Sequence, residues 1–140
     1  MRSQNLSAIK PKVFDAWAIL AHFQGEPAGI KVKHIFEEHF ENESSLLISV
    51  VNWGEVLYII EMRYGKNKCE EVESLMQQMD LTVVDADQEL TRCAAHFKAS
   101  KRLPYSDAFA GALAYQKKGT LVTGDSDFKA IEDKIDILWI

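Results

Sequence analysis

The sequence Lys12-Val-Phe-Asp-Ala-Trp-Ala-Ile-Leu-Ala-His-Phe23 predicts the start of an α/β domain. Its first three residues have the composition of a short strand, and the apolar run from Ala16 to Phe23 predicts a helix. Asp15 lies between the two. An aspartate that closes a buried strand has no good solvent-exposed rationale, so Asp15 is the first candidate for a functional side chain.

Strand and helix patterns alternate along the rest of the chain. Strands are predicted at 45–50, 81–84, 120–123 and 135–140, and helices at 30–40, 52–65, 68–79, 88–100 and 105–115. Strands separated by helical segments of about ten or more residues form parallel sheets that helices cover on both faces. The sequence therefore predicts the α/β class.

The composition fits one globular domain. With 140 residues, 47% hydrophobic and 26% charged, the chain is long enough to bury a single core. We expect residues 1–11 to be a polar N-terminal tail and residues 12–140 to form one domain. The first dozen residues lack the apolar stretch of a secretory signal, and later apolar stretches carry too many charges to span a bilayer. These features predict a cytoplasmic protein that does not contact a membrane.

Three further acids resemble Asp15 in their positions. Glu55 and Asp107 lie near the starts of predicted helices, and Asp125 follows the predicted strand at 120–123. In open parallel sheets ligands bind outside the carboxyl ends of the strands, so the fold can bring distant acids into one pocket. Two carboxylates about 5 Å apart repel by roughly 3 kcal/mol at an effective dielectric of about 20, a cost that a bound divalent ion removes. Since Mg²⁺ and Mn²⁺ prefer carboxylate oxygens, the four acids suggest a metal-dependent active site.

Each of the later acids also has a structural explanation. Asn52 and Glu55 have the spacing of a capping box, in which Asn52 caps the helix. Asp107 would interact favourably with the helix dipole at a helix start. Asp125 and Asp127 flank a turn, where aspartate side chains commonly hydrogen-bond the backbone. Considered singly, these acids leave both interpretations open.

Four longer motifs, which between them extend over nearly the whole chain, sharpen the interpretation. They are Val-Phe-Asp-Ala at 13–16, Ile-Ser-Val-Val-Asn-Trp-Gly-Glu-Val-Leu-Tyr at 48–58, Tyr-Ser-Asp-Ala-Phe-Ala-Gly-Ala-Leu-Ala at 105–114 and Leu-Val-Thr-Gly-Asp-Ser-Asp-Phe at 121–128. In order and spacing the sequence resembles the PIN-domain nucleases, and among them the VapC-type toxins of toxin-antitoxin modules. The resemblance implies a three-layer α/β/α domain whose parallel sheet of about five strands has the order 3-2-1-4-5.

The resemblance also implies roles for individual residues. Asp15, Glu55, Asp107 and Asp125 match the catalytic acids of the family by position, and Asp127 matches a frequent fifth acid. Asp15, Asp107, Asp125 and Asp127 would hold Mg²⁺ or Mn²⁺. The implied activity is endonucleolytic cleavage of RNA phosphodiester bonds. The implied partners are the RNA substrate, a cognate antitoxin that inserts a basic side chain into the acidic pocket, and a second copy of the chain in a homodimer.

Two positions beside the acids bear on this resemblance. Thr123 occupies the place of a small hydroxyl residue often found near the metal. Family members commonly have serine or asparagine two residues after the first aspartate, and this sequence has Trp17 there. Trp17 motivates an alternative, a PIN-fold binding or regulatory module with weak catalysis. A housekeeping RNA-processing nuclease is a further alternative.

A basic segment precedes Asp107. Lys98, Lys101 and Arg102 have helical spacing, so they could form a patch that holds RNA phosphates. A solvated face at a helix end explains the same residues equally well. The net charge of −5 argues against a uniformly basic surface, but it comes to zero once the five acids of the predicted site are set aside. A local basic patch is therefore compatible with the composition.

Overall fold

A five-stranded sheet forms the centre of the structure, a computed structural model that describes residues 9–140 apart from the side chain of Phe40. The strands are β1 (Lys12–Phe14), β2 (Leu46–Ser49), β3 (Thr82–Val84), β4 (Thr120–Thr123) and β5 (Asp136–Trp139). All neighbouring strands pair in parallel, in the order β3-β2-β1-β4-β5, which confirms the predicted sheet and strand order. Residues 1–8 of the predicted tail lie outside the described residues.

Helices connect the strands of the sheet. They are α1 (Ala16–Phe23), α2 (Ala28–Asn42), α3 (Val50–Tyr64), α4 (Lys66–Gln78), α5 (Gln88–Lys101) and α6 (Tyr105–Lys117), and a 3-10 helix (Ser126–Ile131) precedes β5. Their bounds agree with the predicted helices to within a few residues. No helix among residues 9–140 is both long enough and apolar enough to cross a membrane.

Successive residues of the central strands point to opposite faces of the sheet. On β1, Phe14 packs in a core with α1, α2, α3 and α4, whereas Val13 packs in a second core with α5 and α6. Val122 and Leu121 of β4 divide between the two cores in the same way. All four side chains are 0% exposed. The strands are therefore buried on both faces, which explains their continuous apolar sequences and confirms the three-layer α/β/α arrangement.

The start of α3 differs from the capping-box interpretation. Ser49 caps this helix, because its Oγ accepts hydrogen bonds from the backbone N–H groups of Val51 and Asn52 at 3.1 and 3.3 Å. Asn52 is fully buried within the helix, and its Nδ2 donates to the backbone oxygen of Ser106 at 3.0 Å. The capping-box interpretation was therefore wrong, because Ser49, the last residue of β2, takes the capping position. Glu55 has no part in the cap.

Helices α1 and α2 approach each other closely at Gly29. A Cβ atom at this position would lie 2.4 Å from the carbonyl oxygen of Ala21 and 2.8 Å from the Cα of His22. Both atoms belong to the backbone, so they cannot move aside as the end of a flexible side chain can. The contact between the two helices therefore requires glycine.

We expect Gly29→Ala to lower the free energy of unfolding by roughly 1–3 kcal/mol, because α1 and α2 must separate to admit the methyl group. Gly54→Ala is the matched control. A Cβ at Gly54, inside α3, meets nothing within 4 Å, so alanine there should stabilise the protein by about 0.5–1 kcal/mol. Urea unfolding measures both changes, and equal effects would contradict the close approach at Gly29.

Candidate metal centre

The acids predicted from the sequence converge at the carboxyl edge of the sheet. Asp15 follows β1 and Asp125 follows β4, and these strands are neighbours. Glu55 on α3 and Asp107 in the first turn of α6 line the same pocket, which has a volume of about 280 Å³. The fold thus brings together all four residues of the predicted quartet, although they are spread over most of the sequence.

Asp15 is buried and held by two hydrogen bonds. It is 2% exposed. Its Oδ1 accepts from the backbone N–H of Ala18 at 2.8 Å, which caps α1, and its Oδ2 accepts from the Thr123 hydroxyl at 2.5 Å. The same Thr123 oxygen accepts from the backbone N–H of Asp125 at 3.0 Å. Thr123 therefore links the ends of β1 and β4 and fixes the orientation of the Asp15 carboxyl group.

Three aspartates form the densest part of the site. Asp107, Asp125 and Asp127 each offer a carboxylate oxygen, and these oxygens all lie within 4.8 Å of one another. Asp125 also caps the 3-10 helix, because its Oδ1 accepts from the backbone N–H of Asp127 at 2.9 Å. The predicted turn interaction is therefore present alongside the cluster. The two are compatible because a carboxylate has further lone pairs with which to bind a cation.

Glu55 contributes an acceptor without a partner. Its Oε2 accepts from the Ser106 hydroxyl at 3.3 Å, while its Oε1 is buried and has no hydrogen-bond partner among the described residues. A buried acceptor left unsatisfied costs free energy that a bound cation or water would recover. The donor set is all oxygen, as Mg²⁺ and Mn²⁺ prefer. These features fit a divalent ion in the pocket.

Ser106 and Asn52 support Glu55, although neither residue was predicted to belong to the site. Asn52 lies one turn before Glu55 and donates to the Ser106 backbone, while the Ser106 hydroxyl donates to Glu55. Together they join α3 to the start of α6. Asn52 lies in the motif at 48–58 and Ser106 in the motif at 105–114, each close to an acid of the site. This closeness in sequence could have identified them as site residues.

Burial, and after it the crowding of carboxylates, raises the pKa values of two acids. Burial, together with the charges of Asp107 and Asp125, raises the pKa of Asp15 to about 7 despite its two hydrogen bonds. Burial also raises the pKa of Asp107 to about 7, with added repulsion from Asp125, Glu55 and Asp127. A divalent ion would reverse this repulsion, since an opposite charge favours the ionised carboxylates.

Trp17 forms part of the wall of the pocket and packs on the loop that carries Asp125. A Cβ atom at Gly124 would lie 2.3 Å from Cη2 of the Trp17 ring. Trp17 therefore supports the loop instead of supplying the polar contact that the resemblance implied at this position. The Thr123 hydroxyl supplies a polar contact to Asp15 from the other side.

The basic segment before Asp107 lies apart from this pocket. Lys98 Nζ donates to the carbonyl oxygen of Leu103 at 3.1 Å, and Arg102 is exposed at the end of α5 in a left-handed conformation. Lys101 lines a different groove, between α5 and the end of α6. None of the three is among the described residues that line the acidic pocket. These contacts favour the helix-end interpretation, and RNA binding by this segment stays a prediction.

We expect the metal-free protein to lose stability as pH rises from about 4 to about 7. Below the ordinary aspartate pKa of 3.8, Asp15 and Asp107 are protonated in both the folded and the unfolded state. Between 3.8 and about 7 the unfolded chain has released protons that the folded state retains, so the free energy of unfolding falls with pH. Above about 7 their contribution stays constant. Denaturant unfolding with a chelator at a series of pH values measures this.

Asp107→Asn serves as the control for that titration, because it removes one of the two groups. The fall in stability between pH 4 and 7 should be smaller in the variant than in the wild type, so the difference isolates Asp107 from other titrating residues. Added Mg²⁺ should stabilise the wild type most near and above pH 7, where fewer protons compete with the ion. An equal pH dependence in both proteins would contradict the raised pKa of Asp107.

We also expect Gly124→Ala to destabilise the protein by about 1–3 kcal/mol, because the new methyl group meets the Trp17 ring. In a Trp17→Ala background the same substitution should cost little. The two changes should therefore show a coupling free energy of about 0.5–3 kcal/mol in a double-mutant cycle measured by urea unfolding. Additive effects would show that the two residues do not constrain each other.

Comparison with known proteins gives one family match and several solved structures of similar fold. The PIN domain family matches residues 12–134, whereas no curated protein matches the chain. DNA-bound VapBC from Salmonella typhimurium matches with a TM-score of 0.70 at 18% identity, covering 93% of this chain and 98% of that one. VapBC2 from Rickettsia felis, bound to a promoter DNA fragment, gives 0.69 at 13% identity, covering 91% and 96%.

A third similar structure is VapC20 from Mycobacterium tuberculosis, a toxin that cleaves the sarcin-ricin loop. It matches with a TM-score of 0.65 at 17% identity, covering 85% of this chain and 93% of that one. At such identities the likeness to these structures is one of fold. The family match extends over most of the chain and includes all the acids of the pocket. This chain therefore belongs to the PIN domain family.

Proposed function

We propose that the protein is a Mg²⁺- or Mn²⁺-dependent endoribonuclease and the toxin of a VapBC-type toxin-antitoxin pair. The observation that carries the proposal is the crowded acidic pocket. It contains two carboxyl groups whose pKa is raised to about 7 and a buried Glu55 oxygen without a partner. Such a site is costly for a protein to keep unless a cation binds there.

The proposed ion ligands are Asp15, Asp107, Asp125 and Asp127, directly or through water. When bound, the ion would lower the pKa of a water molecule and stabilise the negative charge that develops on a phosphodiester. The residues of the chain set the geometry. Thr123 and the first turn of α1 hold Asp15 in one orientation, and Ser106 holds one oxygen of Glu55 so that the other is free to accept a proton from water.

RNA as the substrate and an antitoxin as a partner are proposed from likeness of fold. VapC20 is a toxin that cleaves the sarcin-ricin loop, and the other two structures are VapBC complexes. Exposed apolar side chains on early helices support contacts with an antitoxin or with a second copy in a homodimer: Ile30 is 60% exposed, Tyr58 55% and Met62 75%. The cytoplasmic location stays a prediction.

The two alternatives predict different results. A PIN-fold module that works by binding would not turn over RNA, and its acidic pocket would bind Mn²⁺ weakly in calorimetry. A housekeeping nuclease would share the metal chemistry but would not be inhibited by a small partner protein. The complete set of acids in one pocket favours a nuclease over the weakly catalytic module.

We expect Asp107→Asn to reduce RNA cleavage by about 100-fold or more, because one carboxylate of the ion site is lost at nearly constant shape. Asp107 is preferred to Asp15 for this test, since Asp15 also caps α1 and its replacement would weaken the fold. The measurement is cleavage of single-stranded and structured RNA in Mg²⁺, with and without a chelator.

Asp133→Asn is the control, because Asp133 is exposed and lies outside the acidic pocket. It should cut RNA as the wild type does. Cleavage that persists unchanged in Asp107→Asn would indicate a contaminating nuclease and remove the support for the proposal. Calorimetry with Mn²⁺ should likewise show weaker ion binding in Asp107→Asn than in Asp133→Asn.

A further inference from the structure

The acidic pocket extends past the acids along α1 and α3. Glu55, Ile59 and Arg63 line it at intervals of four residues, so they share one face of α3. The separation of eight positions between Glu55 and Arg63 corresponds to about 12 Å of helix. The pocket therefore extends from Glu55, beside the other acids of the candidate metal centre, to a far end at Arg63.

Arg63 is held in place at that far end. Its Nη1 donates to Oε1 of Gln24, the residue that directly follows α1, at 2.6 Å. The hydroxyl group of Tyr64 donates to the same oxygen at 3.1 Å, which fixes the acceptor. A guanidinium has five N–H donors, and the bond to Gln24 uses only one. No carboxylate of the described residues forms an ion pair with Arg63, so its charge is available to a ligand.

The charge of the pocket explains what such an arginine can bind. Arg63 is the only cationic residue among the described residues that line it; the ionisable acids there are Asp15, Glu26, Glu55, Asp107 and Asp125. A nucleic-acid strand in the pocket would meet repulsion wherever no bound cation offsets these carboxylates. A guanidinium binds phosphate through two parallel N–H donors, and prior orientation reduces the entropy lost on binding.

We propose that Arg63, oriented by Gln24, binds a phosphate of the RNA strand at some distance from the phosphate that is cut. This inference rests on the proposed ribonuclease function. Arg63 acts as a substrate-binding residue that does not reach the reacting atoms, because two turns of α3 separate it from Glu55. A purely structural role, in which Arg63 only ties α3 to α1 through Gln24, is the interpretation that the experiment must separate from it.

The first measurement is binding of a fluorescently labelled single-stranded RNA in Mg²⁺, followed by anisotropy. All proteins carry Asp107→Asn so that cleavage is slow enough for binding to be measured. Arg63→Gln should weaken binding about tenfold and lower the slope of log affinity against log salt concentration by about 1. Arg92→Gln, at an exposed arginine on α5 that lines a different groove, is the matched control and should change neither.

The second measurement is steady-state cleavage by proteins that retain Asp107. Arg63→Gln should raise KM with kcat nearly unchanged, since the contact forms equally in the ground state and the transition state. Arg63→Lys should recover part of the loss. Gln24→Ala should raise KM less than Arg63→Gln does and add little to it in the double variant, because both act on the same contact.

Two results would overturn the inference. If the wild type binds and cuts RNA but Arg63→Gln behaves like Arg92→Gln, Arg63 does not bind the strand. If Arg63→Gln lowers the free energy of unfolding and kcat together without changing RNA affinity, its role is structural. Failure of the wild type to bind or cut any RNA would instead overturn the proposed function, so the two failures are distinguishable.

Discussion

The hydrogen bond from the Thr123 hydroxyl to Asp15 joins the ends of the two central strands, and the acidic site depends on it. Its length is 2.5 Å, and both residues are almost completely buried. It holds a buried carboxyl group at the carboxyl edge of the sheet, where burial alone would exclude an unpaired charge. With Asp15 fixed between β1 and α1, the end of the neighbouring strand brings Asp125 to the same pocket. Helix α3 and the first turn of α6 add Glu55 and Asp107.

Several residues of the site carry structural and chemical roles at once. Asp15 caps α1 and Asp125 caps the 3-10 helix, yet both line the acidic pocket. A carboxylate can do both because one oxygen accepts from the helix N–H while another lone pair remains for a cation. Glu55 differs because it caps no helix. Ser49 caps α3, and one oxygen of Glu55 has no hydrogen-bond partner among the described residues.

The acids at the sheet and the arginine on α3 lie in different parts of the pocket. Carboxylates crowd the end at the sheet, and Arg63 lies about two helical turns away on the same face of α3. Trp17 closes part of the wall and packs on Gly124, so the residue in place of the expected serine or asparagine supports the loop of Asp125. Chemistry at one end and substrate binding at the other would then depend on the same pair of helices, α1 and α3.

Local sequence was sufficient for the elements and for the candidate acids. Continuous apolar strands and helical periodicity depend only on nearby residues, and the motifs around Asp15, Glu55, Asp107 and Asp125 carried the resemblance from which the strand order was predicted. Contacts between distant residues had to come from the tertiary structure. The partner of Glu55 lies on α6 and that of Arg63 directly after α1, 51 and 39 positions away. Helix packing also decided that Lys101 lines another groove. Periodicity tells which face of a helix is buried, but only the packed helices determine which side chains meet there.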